Sequence, residues 1–164
     1  MAVSIDVDAL ARFLVEAKRR TYASQEGKVT SPRQGAKDLA YQRGGYSYRD
    51  SYFGELDSSG QEVVYQNDLP IWGMNYYGRM LVTEVPRGFI ELLRLALMSV
   101  EVSAPFRGCR VLSRGRYMYR CHSEGDVLSF SGKETIEYYN KEGIHESTSP
   151  PGLLFPFSSQ RAGR

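Results

Sequence analysis

Two stretches of the chain place apolar residues at the spacing of an amphipathic helix. In the first stretch the apolar residues recur at i, i+3, i+4 and i+7, namely Leu10, Phe13, Leu14 and Ala17. The second has a longer apolar stripe, made of Phe89, Leu93, Ala96, Leu97 and Val100. Asp6 or Asp8 can cap the first helix, and Pro86 suits the first turn of the second. The pattern predicts two helices, and Pro105 blocks extension of the second.

After each helix the apolar spacing changes to the period of two that is typical of strands. The first run of strands begins at Asp38 and ends near Tyr77, with turns predicted at residues 43–45 and 67–68 and a loop at residues 54–60. The second run begins near Cys109 and has strands predicted at residues 109–113, 116–122, 127–130, 135–139 and 144–146, with a turn at residues 140–143. The polar stretch at residues 22–38 is predicted to be a surface loop.

The two helix-plus-strand stretches also resemble each other in sequence. Residues 43–49 and 114–120 share five of seven positions at an offset of 71, and the offset rises stepwise to 74 at Gly78 and Gly152. Single-residue insertions in turns would produce such a drift. The sequence therefore predicts an internal duplication, with one copy at about residues 6–81 and the other at about residues 87–155.

Together these elements predict an α+β fold. Two repeated units, each a helix followed by an antiparallel meander, are expected to form one curved sheet with both helices on one face. We expect a single domain over residues 1–157 and a disordered tail over residues 158–164. The apolar segment after Pro150 is expected to pair with residues 78–81. The outer face of the sheet, or the cleft between the units, is the expected binding surface.

Length, net charge and cysteine content limit which classes of protein the sequence fits. A chain of 164 residues is long enough for a real core, and a net charge of +2 gives no preference for nucleic acid or an anionic membrane. No apolar run reaches membrane-spanning length and no signal peptide is evident, so we expect a soluble, cytoplasmic protein of bacterial type. Cys109 and Cys121 flank a predicted turn centred on Gly115. A disulfide is conceivable in an oxidising compartment, but two reduced thiols are expected in the cytoplasm.

No catalytic, metal or cofactor signature is present in the sequence. His122 and His145 are isolated, and the Ser-Gly pairs fall at turns rather than between a strand and a helix. Asp50, Glu55 and Glu62 are candidate carboxylates for acid–base chemistry, but no motif pairs them. We therefore predict no metal and no cofactor, and an enzyme is not the favoured interpretation.

The densest chemistry lies in residues 69–79, which hold the single tryptophan of the chain. Alternation places Trp72 and Tyr76 on one face of this strand and Asn75 and Tyr77 on the other. Flat aromatic surface beside a few polar groups is typical of small-molecule sites, although Trp72 and Tyr76 can equally be core residues. The predicted ligand-binding residues are Trp72, Asn75, Tyr77, Arg79, Tyr48 and Tyr52. The tyrosine ladders could instead stack nucleic-acid bases, but the near-neutral charge argues against that role.

Several segments resemble a bacterial domain family of unknown function. They are residues 21–24, 38–41, 48–54, 60–64 and 70–79, the last of which contains Trp-x-Met-Asn-Tyr-Tyr-Gly at residues 72–78. Members of that family occur alone or C-terminal to helix-turn-helix transcriptional regulators, which implies a ligand-sensing or regulatory role. This chain has no helix-turn-helix pattern ahead of residue 6.

The leading hypothesis is a sensor-like domain that binds an unknown small molecule or protein in an aromatic cleft. One alternative is a protein-interaction module or homodimer that uses a sheet edge or the segment at residues 153–157. A third hypothesis is an enzyme that uses Asp50 with Tyr52 or Tyr77. A carboxylate beside a tyrosine hydroxyl inside a deep cleft would favour this third hypothesis.

Overall fold

The computed structural model describes residues 4–24, 26–55, 57–81, 85 and 87–139, together with the backbone of residues 153–161. Within this part of the chain there are two helices, α1 (Val7–Arg20) and α2 (Phe89–Met98). The strands are β1 (Lys28–Val29), β2 (Lys37–Arg43), β3 (Tyr46–Gly54), β4 (Ser58–Gln66), β5 (Leu69–Met80), β6 (Val111–Arg114), β7 (Tyr117–Asp126), β8 (Ser129–Tyr138) and β9 (Leu153–Arg161).

The strands form two antiparallel meanders, of five strands (β1–β5) and three strands (β6–β8). β9 lies between the two meanders, so the strand order is β1-β2-β3-β4-β5-β9-β8-β7-β6. Every pairing along this order is antiparallel. The predicted α+β class, with helices preceding antiparallel meanders, is confirmed. Among the described strands the free edges are β1 and β6.

The C-terminal strand β9 pairs as predicted at its start, but it extends further than expected. Leu154 pairs with Arg79 and Leu153 with Met80, so the predicted pairing of this segment with the end of β5 is confirmed. Residues 158–161 continue the strand and pair with residues 72–75 of β5, which corrects the expectation of a disordered tail there. Pairing with β5 satisfies backbone groups of these residues, and residue 158 also pairs with Ser131 of β8. Residues 162–164 lie outside the described residues.

The tight turns are made of residues that tolerate positive φ. Gly44 and Gly45 have φ of 58° and 81°, and Asn67 and Asp68 have φ of 49° and 65°. Two consecutive residues of this kind match the twist of a hairpin, and both predicted turns are confirmed. The predicted loop at residues 54–60 is shorter, because β4 already begins at Ser58.

The second meander differs from the expected one in its strand boundaries. The two strands predicted at residues 127–130 and 135–139 are the single strand β8, preceded by a turn at residues 127–128. In the surface segment at residues 22–38, residues 28–29 add a short edge strand. The turn predicted at residues 140–143 and the strand at residues 144–146 lie outside the described residues.

The hairpin between β6 and β7 has a two-residue turn at residues 115–116, so the turn is not centred on Gly115 as predicted. The amide of Cys121 donates a hydrogen bond to the carbonyl of Arg110 at 2.9 Å, so Cys121 lies opposite Arg110 and not opposite Cys109. Both thiols are free and half-buried. The one-residue difference in register follows from the length of the turn.

α1 begins where its capping residue predicts, whereas α2 contains the predicted apolar stripe from Phe89 to Leu97 but ends before Val100. The Asp6 carboxylate caps α1 by accepting a hydrogen bond from the amide of Ala9 at 3.0 Å. α2 ends at Met98, well before Pro105, and Ser99 closes its last turn. Pro86, the predicted first-turn residue, lies outside the described residues. Among the described residues, neither helix is long and apolar enough to cross a membrane.

The apolar faces of both helices and the inner faces of both meanders form one core. Trp72 is fully buried in it, and its indole N–H donates to the carbonyl of Val127 at 2.7 Å. Further core residues are Leu10, Leu14, Leu92, Ala96, Val64, Met74, Phe130 and Ile136. The sheet face that carries these residues also carries the charged groups described next.

Candidate functional site

A cavity of about 410 Å³ lies between the two helices and the inner face of β3, β4 and β5. Its inner end is lined by buried polar side chains, namely Lys18, Tyr48, Asp50, Glu62, Tyr76 and Arg107. The wall on α2 is largely apolar and consists of Phe89, Ile90, Leu93 and Leu97, with Arg94 beside them. Exposed residues mark the mouth, namely Lys37, Glu55 and Val85. The cavity is therefore polar at depth and apolar along one side.

An acid pair on adjacent strands defines the inner end. Asp50 on β3 lies directly opposite Glu62 on β4, and both side chains point to the core face. The two residues are only 3% and 2% exposed. Like charges in this cross-strand position repel each other, and burial increases the penalty. The pair therefore needs compensating groups from elsewhere in the fold.

Two buried cations supply part of that compensation. Lys18, near the end of α1, forms an ion pair with Glu62. Arg107, in the segment before β6, lies 3.6 Å from Glu62 and donates to Glu134 of β8 at 2.9 Å. The Tyr119 hydroxyl donates to the other oxygen of Glu134 at 2.6 Å. Removing one partner of a buried ion pair is strongly destabilising, so we expect this network to contribute to the stability of the fold.

Asp50 has a different environment from the two glutamates. Its carboxylate accepts a hydrogen bond from the Tyr76 hydroxyl at 2.6 Å. Burial, and next the charge of Glu62, raise the pKa of Asp50 to about 7, although the Tyr76 hydrogen bond and the nearby cations act in the opposite direction. At neutral pH, Asp50 is therefore about half protonated, which is the condition in which a carboxyl group can both accept and donate protons.

The remaining titratable groups of the inner end are shifted chiefly by burial. Burial raises the pKa of Tyr48 and of Tyr76 well above the ordinary value, so both hydroxyls stay neutral donors. Burial also lowers the pKa of Lys18, while the charge of Glu62 raises it. The cavity thus contains neutral tyrosines, paired cations and one carboxyl that titrates near neutrality.

Gly60 makes room for the Asp50–Tyr76 contact. It lies opposite Tyr76 in the pairing of β4 with β5. A Cβ atom at this position would overlap the hydroxyl end of the Tyr76 ring and approach Cβ of Tyr52 to 2.7 Å. The absence of a side chain therefore lets the Tyr76 ring lie across β4 and reach Asp50 on β3.

The residues that the sequence singles out fall into three places. Tyr48 and Tyr52 line the cavity. Trp72 belongs to the core and is not among the lining residues. Asn75, Tyr77 and Arg79 lie on the outer face of β5, where Asn75 accepts a hydrogen bond from Gln61 at 2.9 Å. The structure therefore does not bring these three outer residues together with the cavity.

Lys18 and Arg107 line the cavity but were absent from the predicted site, Glu62 was recognised only as a candidate carboxylate, and Glu134 contacts Arg107 without lining the cavity. Lys18 stands four residues after Leu14, so it is a charged residue on an apolar helix face. Glu62 and Glu134 fall at inner-face positions of their strands, where an unpaired charge would be costly. Arg107 had no comparable signal, because it lies outside any periodic element.

The described side chains contain no group of three or more His, Cys, Asp or Glu residues arranged to hold a metal ion. No curated protein and no solved structure matches this chain. A family model described as Domain of unknown function (DUF5680) matches residues 50–153, which is more than half of the chain. This agrees with the resemblance to an uncharacterised domain family, and the chain belongs to the DUF5680 family.

Proposed function

We propose that this protein binds a small organic molecule in the cavity between its helices and β3–β5. The observation that carries the proposal is the shape and lining of the cavity. A volume of about 410 Å³ falls in the usual range for small-molecule sites, and the apolar wall faces a few convergent polar groups. The tyrosines Tyr48, Tyr52 and Tyr76 give the cavity the aromatic character expected of a ligand-binding cleft.

The lining suggests how a ligand would be oriented. Its apolar part would pack on Phe89, Leu93 and Leu97 of α2, and its polar part would reach Asp50 and Tyr76. Because α1 and α2 both contribute to the wall, an occupied cavity would stabilise one arrangement of the two helices. In a sensor-like role, the ligand would act by changing how α1 and α2 are arranged, and a partner protein would recognise that change.

The experiment is a cavity-filling substitution with a matched control on the same helix. Leu93 lines the cavity and is 8% exposed, whereas Leu95 is 40% exposed and points away from it. A fragment library is screened against the wild type by ligand-observed NMR, and hits are titrated by calorimetry. A hit present at about 100 times its dissociation constant should add roughly 2.7 kcal/mol to the free energy of unfolding.

Leu93→Trp should abolish binding of these hits, while Leu95→Trp should retain it. If Leu93→Trp fails to fold by circular dichroism, Ile90→Trp fills the same wall from a more exposed position. Hits that bind folded Leu93→Trp or Ile90→Trp as tightly as the wild type would contradict the cavity as the site. A library that yields no hit would also count against the proposal.

A second candidate function is proton-transfer catalysis. Asp50, with a pKa of about 7 and a tyrosine hydroxyl at 2.6 Å inside the cavity, has the properties of a general base. A suitable probe is 5-nitrobenzisoxazole, a small apolar compound whose ring opens when a base removes its proton. The wild type should accelerate this reaction with a midpoint near pH 7, and Asp50→Asn should remove the acceleration. A wild-type rate equal to that of buffer would exclude this function for the cavity.

The internal duplication is a further part of the proposal. Its support is the strand order, in which β2-β3-β4-β5 and β6-β7-β8-β9 run from the two sides toward a central β5–β9 pair. Tyr48 and Tyr119 occupy corresponding inner-face positions of the two meanders, as do Glu62 and Glu134. A crystal structure in which residues 39–79 fail to superpose on residues 110–153 would contradict the duplication.

A further inference from the structure

One buried carboxylate at the inner end of the cavity lacks an ion pair to any described residue. Two buried carboxylates, Asp50 and Glu62, and two buried cations, Lys18 and Arg107, line this end, and the buried Glu134 contacts Arg107 without lining the cavity. Lys18 pairs with Glu62, and Arg107 pairs with both glutamates. Among the described side chains Asp50 forms no ion pair within 4 Å, and its recorded partner is the neutral Tyr76 hydroxyl. Both buried cations are thus paired with the two glutamates, and an ionised Asp50 has no ion-pair partner of its own within the described part of the chain. The half-buried Arg94 also lines the cavity, on the α2 wall.

An anionic ligand is poorly suited to this arrangement. The two buried cations at the inner end already contact carboxylates, with the Arg107 guanidinium 2.9 Å from Glu134 and the Lys18 ammonium bonded to Glu62. An anion would have to displace one of these buried carboxylates and leave it without a partner. A cation would instead supply the missing charge beside Asp50 without breaking an existing pair.

We propose that the cavity selects a small organic cation, with a protonated amine against Asp50 and an apolar group against Phe89 and Leu93. This inference rests on the proposed function of the cavity as a ligand site and names its ligand class. An ammonium group offers N–H donors to a carboxylate that already accepts one hydrogen bond from Tyr76. The Tyr22 and Tyr52 rings, which also line the cavity, add faces that attract cations.

Binding of such a ligand is coupled to a proton. Because the pKa of Asp50 is about 7, a protonated amine binds protein molecules in which Asp50 is ionised. Molecules in which Asp50 is protonated must release that proton when the amine binds. Affinity should therefore rise about tenfold between pH 6 and pH 8, following the ionised fraction. The charged and titratable groups around Asp50 in the cavity are Lys18 on α1, Tyr22 just after α1, Lys37 on β2, Tyr48 and Tyr52 on β3, Glu55 after β3, Glu62 on β4, Tyr76 on β5, Arg94 on α2 and Arg107 before β6.

The experiment compares three probes that share one apolar group. They are 2-phenylethylamine, 2-phenylethanol and 3-phenylpropionate, each titrated into the full chain by calorimetry at pH 6 and pH 8. At pH 8 the amine should bind at least about tenfold more tightly than the alcohol, because of the added ion pair. The carboxylate should bind more weakly than the alcohol.

Asp50→Asn should make the affinities of the amine and the alcohol equal and should remove the pH dependence of amine binding. Asparagine keeps an oxygen for the Tyr76 hydroxyl, so the local hydrogen bond survives. Asp68→Asn, at an exposed turn position where asparagine tolerates positive φ, is the matched control and should bind like the wild type. Retained amine preference in Asp50→Asn would overturn the role of Asp50.

The outcomes separate this inference from the proposed function. Equal affinities of amine and alcohol for the wild type at pH 8, or tighter binding of the carboxylate, would overturn cation selectivity while leaving the cavity as a ligand site. If none of the three probes binds, the inference is overturned, and the fragment screen with Leu93→Trp decides the proposed function independently.

Discussion

Each meander has a buried glutamate on its inner face, and the residue opposite that glutamate differs between the two meanders. In the first meander Asp50 on β3 lies opposite Glu62 on β4. In the second, Cys121 on β7 lies opposite Glu134 on β8. The glutamate is thus present in both halves, and the residue across from it is a carboxyl in one half and a thiol in the other.

Because of that single difference, the acid of the second meander is fully paired, whereas the first meander has a second acid that titrates beside the cavity. Glu134 is fully buried and is bonded to Arg107 and Tyr119. Burial, and next the charge of Glu134, raise the pKa of Cys121 to about 11, so the thiol stays neutral and adds no charge. In the first half both opposed residues are acids, and Asp50 titrates near neutrality at the cavity. The acid at position 50 therefore adds a group that can exchange protons near neutral pH, whereas the glutamate of the second meander only pairs with Arg107.

The largest expected effect comes from removing the cation that both halves share. Arg107→Met keeps most of the side-chain volume but leaves Glu134 and Glu62 without the guanidinium, so unfolding should become easier by about 3–5 kcal/mol. Thermal and urea denaturation measure this change. Arg110→Met, at an exposed position three residues away, should change stability by less than about 0.5 kcal/mol. A loss below about 1 kcal/mol for Arg107→Met would show that the network is not needed for folding.

Asp50→Asn should remove the pH dependence that distinguishes the first half. In the folded protein the pKa of Asp50 is about 7, above its ordinary value of 3.8. Between these two pH values the folded state binds a proton that the unfolded state does not, so the free energy of unfolding falls as the pH rises from about 4 to about 7. Relative to the wild type, the variant should gain as much as about 4 kcal/mol between pH 4 and pH 8. Urea denaturation across this range measures the gain. Parallel pH curves for the two proteins would contradict the assignment of the raised pKa to Asp50.

Cys121→Asp should recreate the acid pair in the second half. Because the new carboxyl would be buried opposite Glu134, its pKa should be raised, and stability at pH 8 should fall by about 2–3 kcal/mol. The loss should shrink toward pH 5, where the new group holds a proton. Cys121→Asn introduces a similar shape without charge and serves as the control. Equal losses in both variants at pH 8 would mean that packing, and not charge, separates the two halves.

The smallest effects are expected on the outer face of β5. Asn75→Ala and Arg79→Ala remove exposed side chains, so each should change stability by less than about 0.5 kcal/mol. Neither should alter the affinity of a compound bound in the cavity. Loss of binding in these folded variants would instead favour the outer face as the ligand site, as the sequence predicts. Calorimetric titration of the same hits measures the outcome.

Periodicity was the most reliable guide to the fold. The period of 3.6 identified the buried stripes of both helices, and the period of two put Trp72 and Tyr76 on one face of β5 and Asn75 and Tyr77 on the other. Only the structure showed that the first of these faces is buried and that the second faces outward. Asp50 was recognised as a candidate carboxylate, but its actual tyrosine partner is Tyr76 rather than Tyr52 or Tyr77.

The sequence by itself determined the two helices, the alternation of faces along β5 and the tight turns at residues 44–45 and 67–68, because these depend on neighbours within a few residues. Only the tertiary structure decided the site. Lys18 meets Glu62 across 44 residues, and both Tyr76–Asp50 and Arg107–Glu134 join residues more than 25 positions apart. Whether a buried charge is paired depends on which elements pack together, and that information is not contained in any local pattern.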